Sequence, residues 1–144
     1  MSVKQISVFL ENRAGALQGM TQTLADNHID MRALSLAETS DFGIVRMIVD
    51  DVDAASAVLE EAGYIHNVTS VLGVTIPDEP GGLNTILQVL GGANINVEYM
   101  YAFLGSKDTA HAYMIFRVQD PDAAVAVLNS EGISCITQID LTNL

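Results

Sequence analysis

The chain has 144 residues, of which 49% are apolar and 17% charged, with a formal net charge of −12. That length suits one ordinary domain or two small ones, and the apolar share is enough for a core, which argues against disorder. Six Lys and Arg against 18 Asp and Glu argue against a nucleic-acid surface and an anionic membrane, both of which need clustered cations, so the charge reads as a solubilising surface.

Val3 to Leu10 alternates, with Ile6, Val8 and Leu10 on one face, which predicts a strand. Asn12 to Gly15 is turn chemistry, and Leu17, Met20, Thr21, Leu24 and Ala25 then recur at helical spacing until Asn27-His28. Met31 to Leu36 and Gly43 to Val49 read as strands joined by a turn at Thr39-Ser40-Asp41. Asp51 and Asp53 suit the start of a helix through Ala55, Val58 and Leu59, with Gly63 at its C-terminal cap. Tyr64 to Val71 contains a fourth strand.

The same order then repeats. At a spacing of 66, Gly15, Leu17, Gln22, Leu24 and Ile29 match Gly81, Leu83, Gln88, Leu90 and Ile95. At a spacing of 69, Asp51, Asp53, Ala54, Ala55, Ala57, Val58, Leu59 and Gly63 match Asp120, Asp122, Ala123, Ala124, Ala126, Val127, Leu128 and Gly132. The change of spacing puts three extra residues between Phe103 and His111. Residues 1–72 hold 4 basic and 10 acidic groups and residues 73–144 hold 2 and 8, so each half carries −6. Strands of the second copy are expected near Val74, Ile95, Ala112 and Ser134, and its helices from about Pro80 and Pro121, since proline suits a first helical turn. The expected fold is therefore α+β: a ferredoxin-like βαββαβ sandwich in two tandem copies, residues 1–70 and 71–144, with antiparallel sheets. Val68 to Ile76 leaves almost no linker, so the copies are expected to be held together rather than tethered.

Few residues suggest catalysis. His28, His66 and His111 form no metal-binding spacing, and neither a phosphate loop nor a dinucleotide fingerprint is present, so no catalytic residue, metal or cofactor is expected. The lone Cys135 excludes an internal disulfide and reads as a structural thiol on a strand. No signal peptide is visible and no run approaches the roughly 18 apolar residues of a membrane helix, so a soluble cytoplasmic protein is expected.

The turn from first strand to first helix carries more. It reads Glu11-Asn12-Arg13-Ala14-Gly15-Ala16-Leu17 in one copy and Pro77-Asp78-Glu79-Pro80-Gly81-Gly82-Leu83 in the other. Glycine lets a partner approach the backbone, and the following turn offers unpaired N–H groups at the positive end of the helix dipole, a cradle for a carboxylate. Asn12 or Asp78 either caps the helix or accepts a hydrogen bond from a ligand ammonium. The alternative is purely structural, because Asx residues and glycine punctuate most such turns. Asp30 and Asn96 each lie 18 residues further on, after Ile29 and Ile95. The expectation is that Asn12 with Asp30, and Asp78 with Asn96, sit near one edge of each layer and hold the two ends of an amino acid.

The Asn-Arg-x-Gly-x-Leu turn, the Pro-Asp-x-Pro-Gly-Gly-Leu turn and the Asn-Ile-Asn at 94–96 resemble ACT domains, small regulatory βαββαβ modules that typically bind amino acids. The resemblance covers the whole chain as two copies. It implies a ligand at an interface between two ACT modules, contacted by Asn12 and Asp30, by Asp78 and Asn96, and by the backbone of Ala14-Gly15-Ala16 and Pro80-Gly81-Gly82, with Leu17 and Leu83 beginning the helices. Two departures stand out: Ala14 replaces the usual Pro, and Asp30 stands where Asn is usual, which would repel a ligand carboxylate. Tyr99, Met100, Tyr101 and Phe103 either line a site or pack in the sheet. Most ACT domains are attached to an enzyme or a DNA-binding domain, and two copies use this whole chain. The expectation is a stand-alone amino-acid sensor that binds a free amino acid and forms a homodimer. The alternatives are a regulatory subunit with a separate enzyme partner, or an interaction module without ligand.

Overall fold

Alternating apolar residues and two short amphipathic helices build the same unit twice in this computed structural model, which describes residues 2–105 and 110–144. The first module, Lys4–Thr69, contains β1 (Val3–Glu11), α1 (Ala16–Asp26), β2 (Met31–Glu38), β3 (Phe42–Val49), α2 (Val52–Glu61) and the start of β4 (His66–Pro77). The second, Ser70–Leu144 with the first residues of the chain, contains the rest of β4, α3 (Gly82–Gly92), β5 (Tyr99–Ala102), β6 (His111–Arg117), α4 (Pro121–Ser130), β7 (Cys135–Ile136) and a 3-10 turn at Asp140–Asn143. The strand order is β2-β3-β1-β4 in the first module and β7-β4-β6-β5 in the second. This is the ferredoxin-like arrangement, in which the third strand of each unit separates the first from the second. Among the described residues no helix is long and apolar enough to cross a membrane.

Each module has its own core. Ile6, Val8 and Leu10 of β1 meet Met20 and Leu24 of α1 and Leu59 of α2. Leu72, Val74 and Ile76 of β4 meet Ile86 and Leu90 of α3 and Leu128 of α4. Burial of each such side chain stabilises by about 1.5–3 kcal/mol. The cores follow the periodicities of 2 and 3.6 read from the sequence.

Three local features differ from expectation. The helix after Pro80 starts two residues later, at Gly82, with Pro80 in the turn before it. β5 starts at Tyr99 rather than near Ile95, and its pairing with β6 begins there, opposite Arg117. β7 is only two residues long, pairing Cys135 and Ile136 with Val74 and Gly73. The three extra residues of the second copy fall largely on residues 106–109, outside the described residues.

The 3-10 turn is clamped by a reciprocal pair: the Thr137 backbone N–H donates to Asp140 Oδ2 at 2.8 Å and the Asp140 backbone N–H donates to Thr137 Oγ1 at 3.2 Å. Donation from the Thr137 backbone, and then from its side chain, holds the Asp140 carboxyl below its ordinary value. A carboxyl lowered in the folded state stabilises above its unfolded pKa, near 4, and loses that contribution as pH falls through the folded value. The difference in melting temperature between wild type and Asp140→Asn should therefore be constant above about pH 5 and shrink below about pH 4. A difference that persists unchanged at acid pH would assign the turn's stability to other contacts.

Candidate functional site

The four helices begin in two distinct ways. Asp51 and Asp120 cap α2 and α4 through side-chain acceptors for the Ala54 and Ala123 N–H groups, at 3.0 and 3.1 Å. α1 and α3 are instead capped by Gly15 and Gly81, in the left-handed conformation at φ 87° and 85°, with no side-chain cap. The N–H groups of Ala16 and Gly82 turn back to the carbonyls of Arg13 and Glu79. The Leu17 and Gln18 N–H groups, and those of Leu83 and Asn84, belong to first turns that no side chain caps. Such turns attract negative charge, and a left-handed cap is cheap only for glycine.

Space at Gly82 is still tighter. A Cβ there would overlap the Pro77 carbonyl oxygen and sit 3.1 Å from Ile76 Cγ2. Ala16 is the counterpart in the first module, so the strand-to-helix turns differ in how closely the backbone folds on itself. Gly82→Ala should lower stability by about 1–3 kcal/mol, the usual cost of forcing a methyl group into filled space. Thermal or urea unfolding measures it, and an unchanged midpoint would show that the turn relaxes freely.

Asn12 does not cap α1. Its Nδ2 donates to the Thr39 carbonyl at 3.0 Å and its backbone N–H to the Asp41 carbonyl, which ties the first turn to the β2–β3 turn. Asp78 makes the matching backbone bond to Ala110. Its side chain has no hydrogen-bond partner among the described residues, and it lines a cleft of about 190 Å³ with Phe103 and Tyr113. These two rings meet edge to face at 6.1 Å. Met100 packs on the core and Tyr101 is buried, so of the four residues Tyr99, Met100, Tyr101 and Phe103, Phe103 is the one placed beside Asp78.

Asp30 and Asn96 lie elsewhere. The Asp30 backbone N–H donates to Asp50 Oδ1 at 3.1 Å, and its carboxylate accepts from Arg32 Nη1 at 3.3 Å. Arg32 thereby offsets the charge that distinguishes Asp30 from asparagine. Asn96 lines an open cleft of about 930 Å³ with Glu98, Arg117, Gln119 and Asp120. Arg117 is oriented there by the Ser70 carbonyl at 2.9 Å and lies 3.9 Å from Glu98.

The expected pairing within a module does not occur. Glu11, beside Asn12, pairs with Phe42 at one end of β3, whereas Met31, beside Asp30, pairs with Val49 at the other. Eight residues of strand at about 3.3 Å each separate the two ends by roughly 25 Å. Asp78 and Asn96 are divided in the same way, by Ala110 at the start of β6 and by Arg117 at its end. The helix carries the chain back along the layer, so a spacing of 18 residues spans the layer instead of returning to one edge.

Among the described residues no three His, Cys, Asp or Glu side chains converge as metal ligands. Cys135 is half-buried on β7 rather than fully enclosed, and desolvation raises its thiol above the ordinary value, which disfavours the reactive thiolate. One polar pair was not legible in the sequence: His66 Nε2 lies 2.7 Å from Ser56 Oγ, with Nδ1 3.2 Å from the Tyr64 carbonyl. The 10-residue separation of Ser56 and His66 across a helix and a strand gives no sequence signal.

The family described as the ACT domain pair matches residues 1–144. A crystal structure of a protein from Bacteroides thetaiotaomicron is 35% identical, covers 100% of this chain and 98% of its own, and superposes with a TM-score of 0.92. The ligand-free regulatory subunit of aspartate kinase from Thermus thermophilus shares the fold at 16% identity, with coverage of 88% and 90% and a TM-score of 0.64. Aspartate kinase from Synechocystis shares it at 18% identity, with a TM-score of 0.57, over 95% of this chain and 28% of the enzyme. No curated protein matches the sequence.

Proposed function

The chain belongs to the ACT domain pair family, and on that premise we propose that it is a cytoplasmic regulatory protein that senses a free amino acid and performs no catalysis of its own. The observation that carries this reading is the contrast between helix starts: α2 and α4 are closed by their own aspartates, while α1 and α3 present uncapped first turns behind Gly15 and Gly81. An α-carboxylate supplies the acceptor those turns lack. Asp78, a carboxylate without a side-chain partner among the described residues, suits the ammonium of the same ligand. The roughly 25 Å between the ends of a module is far more than one amino acid spans. A ligand in the cradle of one module therefore needs a different module to supply an Asp30 or Asn96 end, and the assembly proposed for the sensor is a homodimer. Binding then shifts assembly by favouring the paired state.

Asp78→Ala and Asn96→Ala should each weaken binding by about 1.5–3 kcal/mol, the cost of a lost charge-assisted hydrogen bond. Calorimetry against the twenty amino acids measures this, and wild-type affinity in both variants would show that the site lies elsewhere. A second reading, a regulatory subunit of a separate amino-acid biosynthetic enzyme, is favoured by Phe9, Phe42 and Ile65, which the first module leaves 39%, 57% and 75% exposed. Apolar exposure of this kind marks interaction surfaces. Co-elution with such an enzyme from extract, lost in Phe42→Ser, is the expected result of that reading, and elution of the chain free of any enzyme would oppose it.

A further inference from the structure

Corresponding positions of the two modules treat one region of space differently. In the second module, the end of β4, the first turns of α3 and residues 132–134 border a half-open cavity of about 360 Å³. That is within the roughly 300–1,000 Å³ of small-molecule sites. Thr75, Thr85, Ile86 and Ile133 line it, together with Glu79 and His111, which are exposed. The backbone makes the correspondence with the first module explicit. Thr75 donates to the Ser134 carbonyl as Phe9 does to Ile65, and Ile133 donates to Leu128 as Tyr64 does to Leu59. Thr85 donates to Gly81 as Gly19 does to Gly15.

The side chains at these positions differ in size. Phe9, Phe42, Tyr64 and Ile65 stand where the second module has Thr75, His111, Ile133 and Ser134, and each is the larger of its pair. Tyr64 packs against the core of the first module. Its hydroxyl lies 3.5 Å from where a Cβ on Gly19 would be. The hydroxyl end of Tyr64 thus lies beside α1 at Gly19, the position that corresponds to Thr85 beside Ile133.

We infer that the two modules are unequal: the second holds a side-chain cavity for a small amino acid, while Tyr64 closes the corresponding space in the first. This rests on the amino-acid-sensing reading above. The lining selects the ligand class. Ile86 and Ile133 supply apolar wall, and Thr85 Oγ1, already donating to the Gly81 carbonyl at 3.1 Å, retains lone pairs for a donor. Among the described residues no Lys or Arg lines the cleft to neutralise an acidic side chain, and its one carboxylate, Glu79, is exposed to solvent that screens its pull on a basic one. The cavity therefore takes a short, uncharged aliphatic or hydroxylated side chain.

The test combines calorimetry with Ile and Thr methyl NMR on the full chain, using each of the twenty amino acids at millimolar concentration. The expected result is one ligand per chain, a short uncharged amino acid, with shifts at the Thr85, Ile86 and Ile133 methyl groups. Transplanting the first module's pair, as Thr85→Gly with Ile133→Tyr, should weaken binding at least tenfold, whereas Tyr64→Phe should change it less than twofold. Two ligands per chain, shifts confined to the first module, or unchanged affinity in the transplant would overturn the inference and leave amino-acid sensing standing. Binding of no amino acid would overturn the sensing reading and the cavity assignment with it. Should the transplant fail to fold, the methyl shifts of the wild-type protein decide the matter.

Discussion

The two left-handed glycines, Gly15 and Gly81, set the conditions for everything at the start of α1 and α3. A chain leaving β1 or β4 must reverse within a few residues, and the reversal passes through φ 87° and 85°. A residue with a Cβ pays a conformational cost there. Because the capping position is occupied by glycine, no side chain is available to accept the first-turn N–H groups. The same topology handles the other helices differently: Asp51 and Asp120 stay extended, at φ −128° and −125°, and reach the amides themselves. One fold therefore contains two closed helix starts and two open ones, distinguished by a single capping residue in each case.

The antiparallel sheet imposes the second constraint. Since β3 runs between β1 and β2, the turn after β1 and the start of β2 lie at opposite ends of it. Polar residues 18 apart in sequence are consequently divided between two sites. At the turn end, Asn12 is consumed in tying two loops together, while among the described residues the Asp78 carboxylate has no hydrogen-bond partner. At the other end, Asp30 is engaged by Arg32 and Asp50, while Asn96 opens onto a polar cleft. In both comparisons the first module's side chain has a hydrogen-bond partner and, among the described residues, the second module's has none.

Duplication preserved the backbone and released the side chains. Ser56 and His66 form a hydrogen-bonded pair in the first module, and Val125 and Cys135 occupy the corresponding positions in the second. Gly19 with Tyr64 corresponds to Thr85 with Ile133. Such exchanges redistribute where space and polarity remain. Modules that match in element order, cap geometry and backbone hydrogen bonds thus differ in what they can hold.

The element order, the two copies and the cores were legible in the sequence, because periodicities of 2 and 3.6 are local properties of the chain. So were the turns at Gly15 and Gly81, since left-handed backbone narrows the residue choice to few types. Other features were decided only by tertiary structure. The start of α3 at Gly82 rather than Pro80 follows from the left-handed cap at Gly81, where the chain turns between β4 and the helix. The separation of Asn12 from Asp30 depends on which strands become neighbours, and the cleft beside Ile133 depends on how β4, α3 and residues 132–134 pack together. These are contacts between residues remote in sequence, and chain spacing carries no information about them until the sheet has chosen its register.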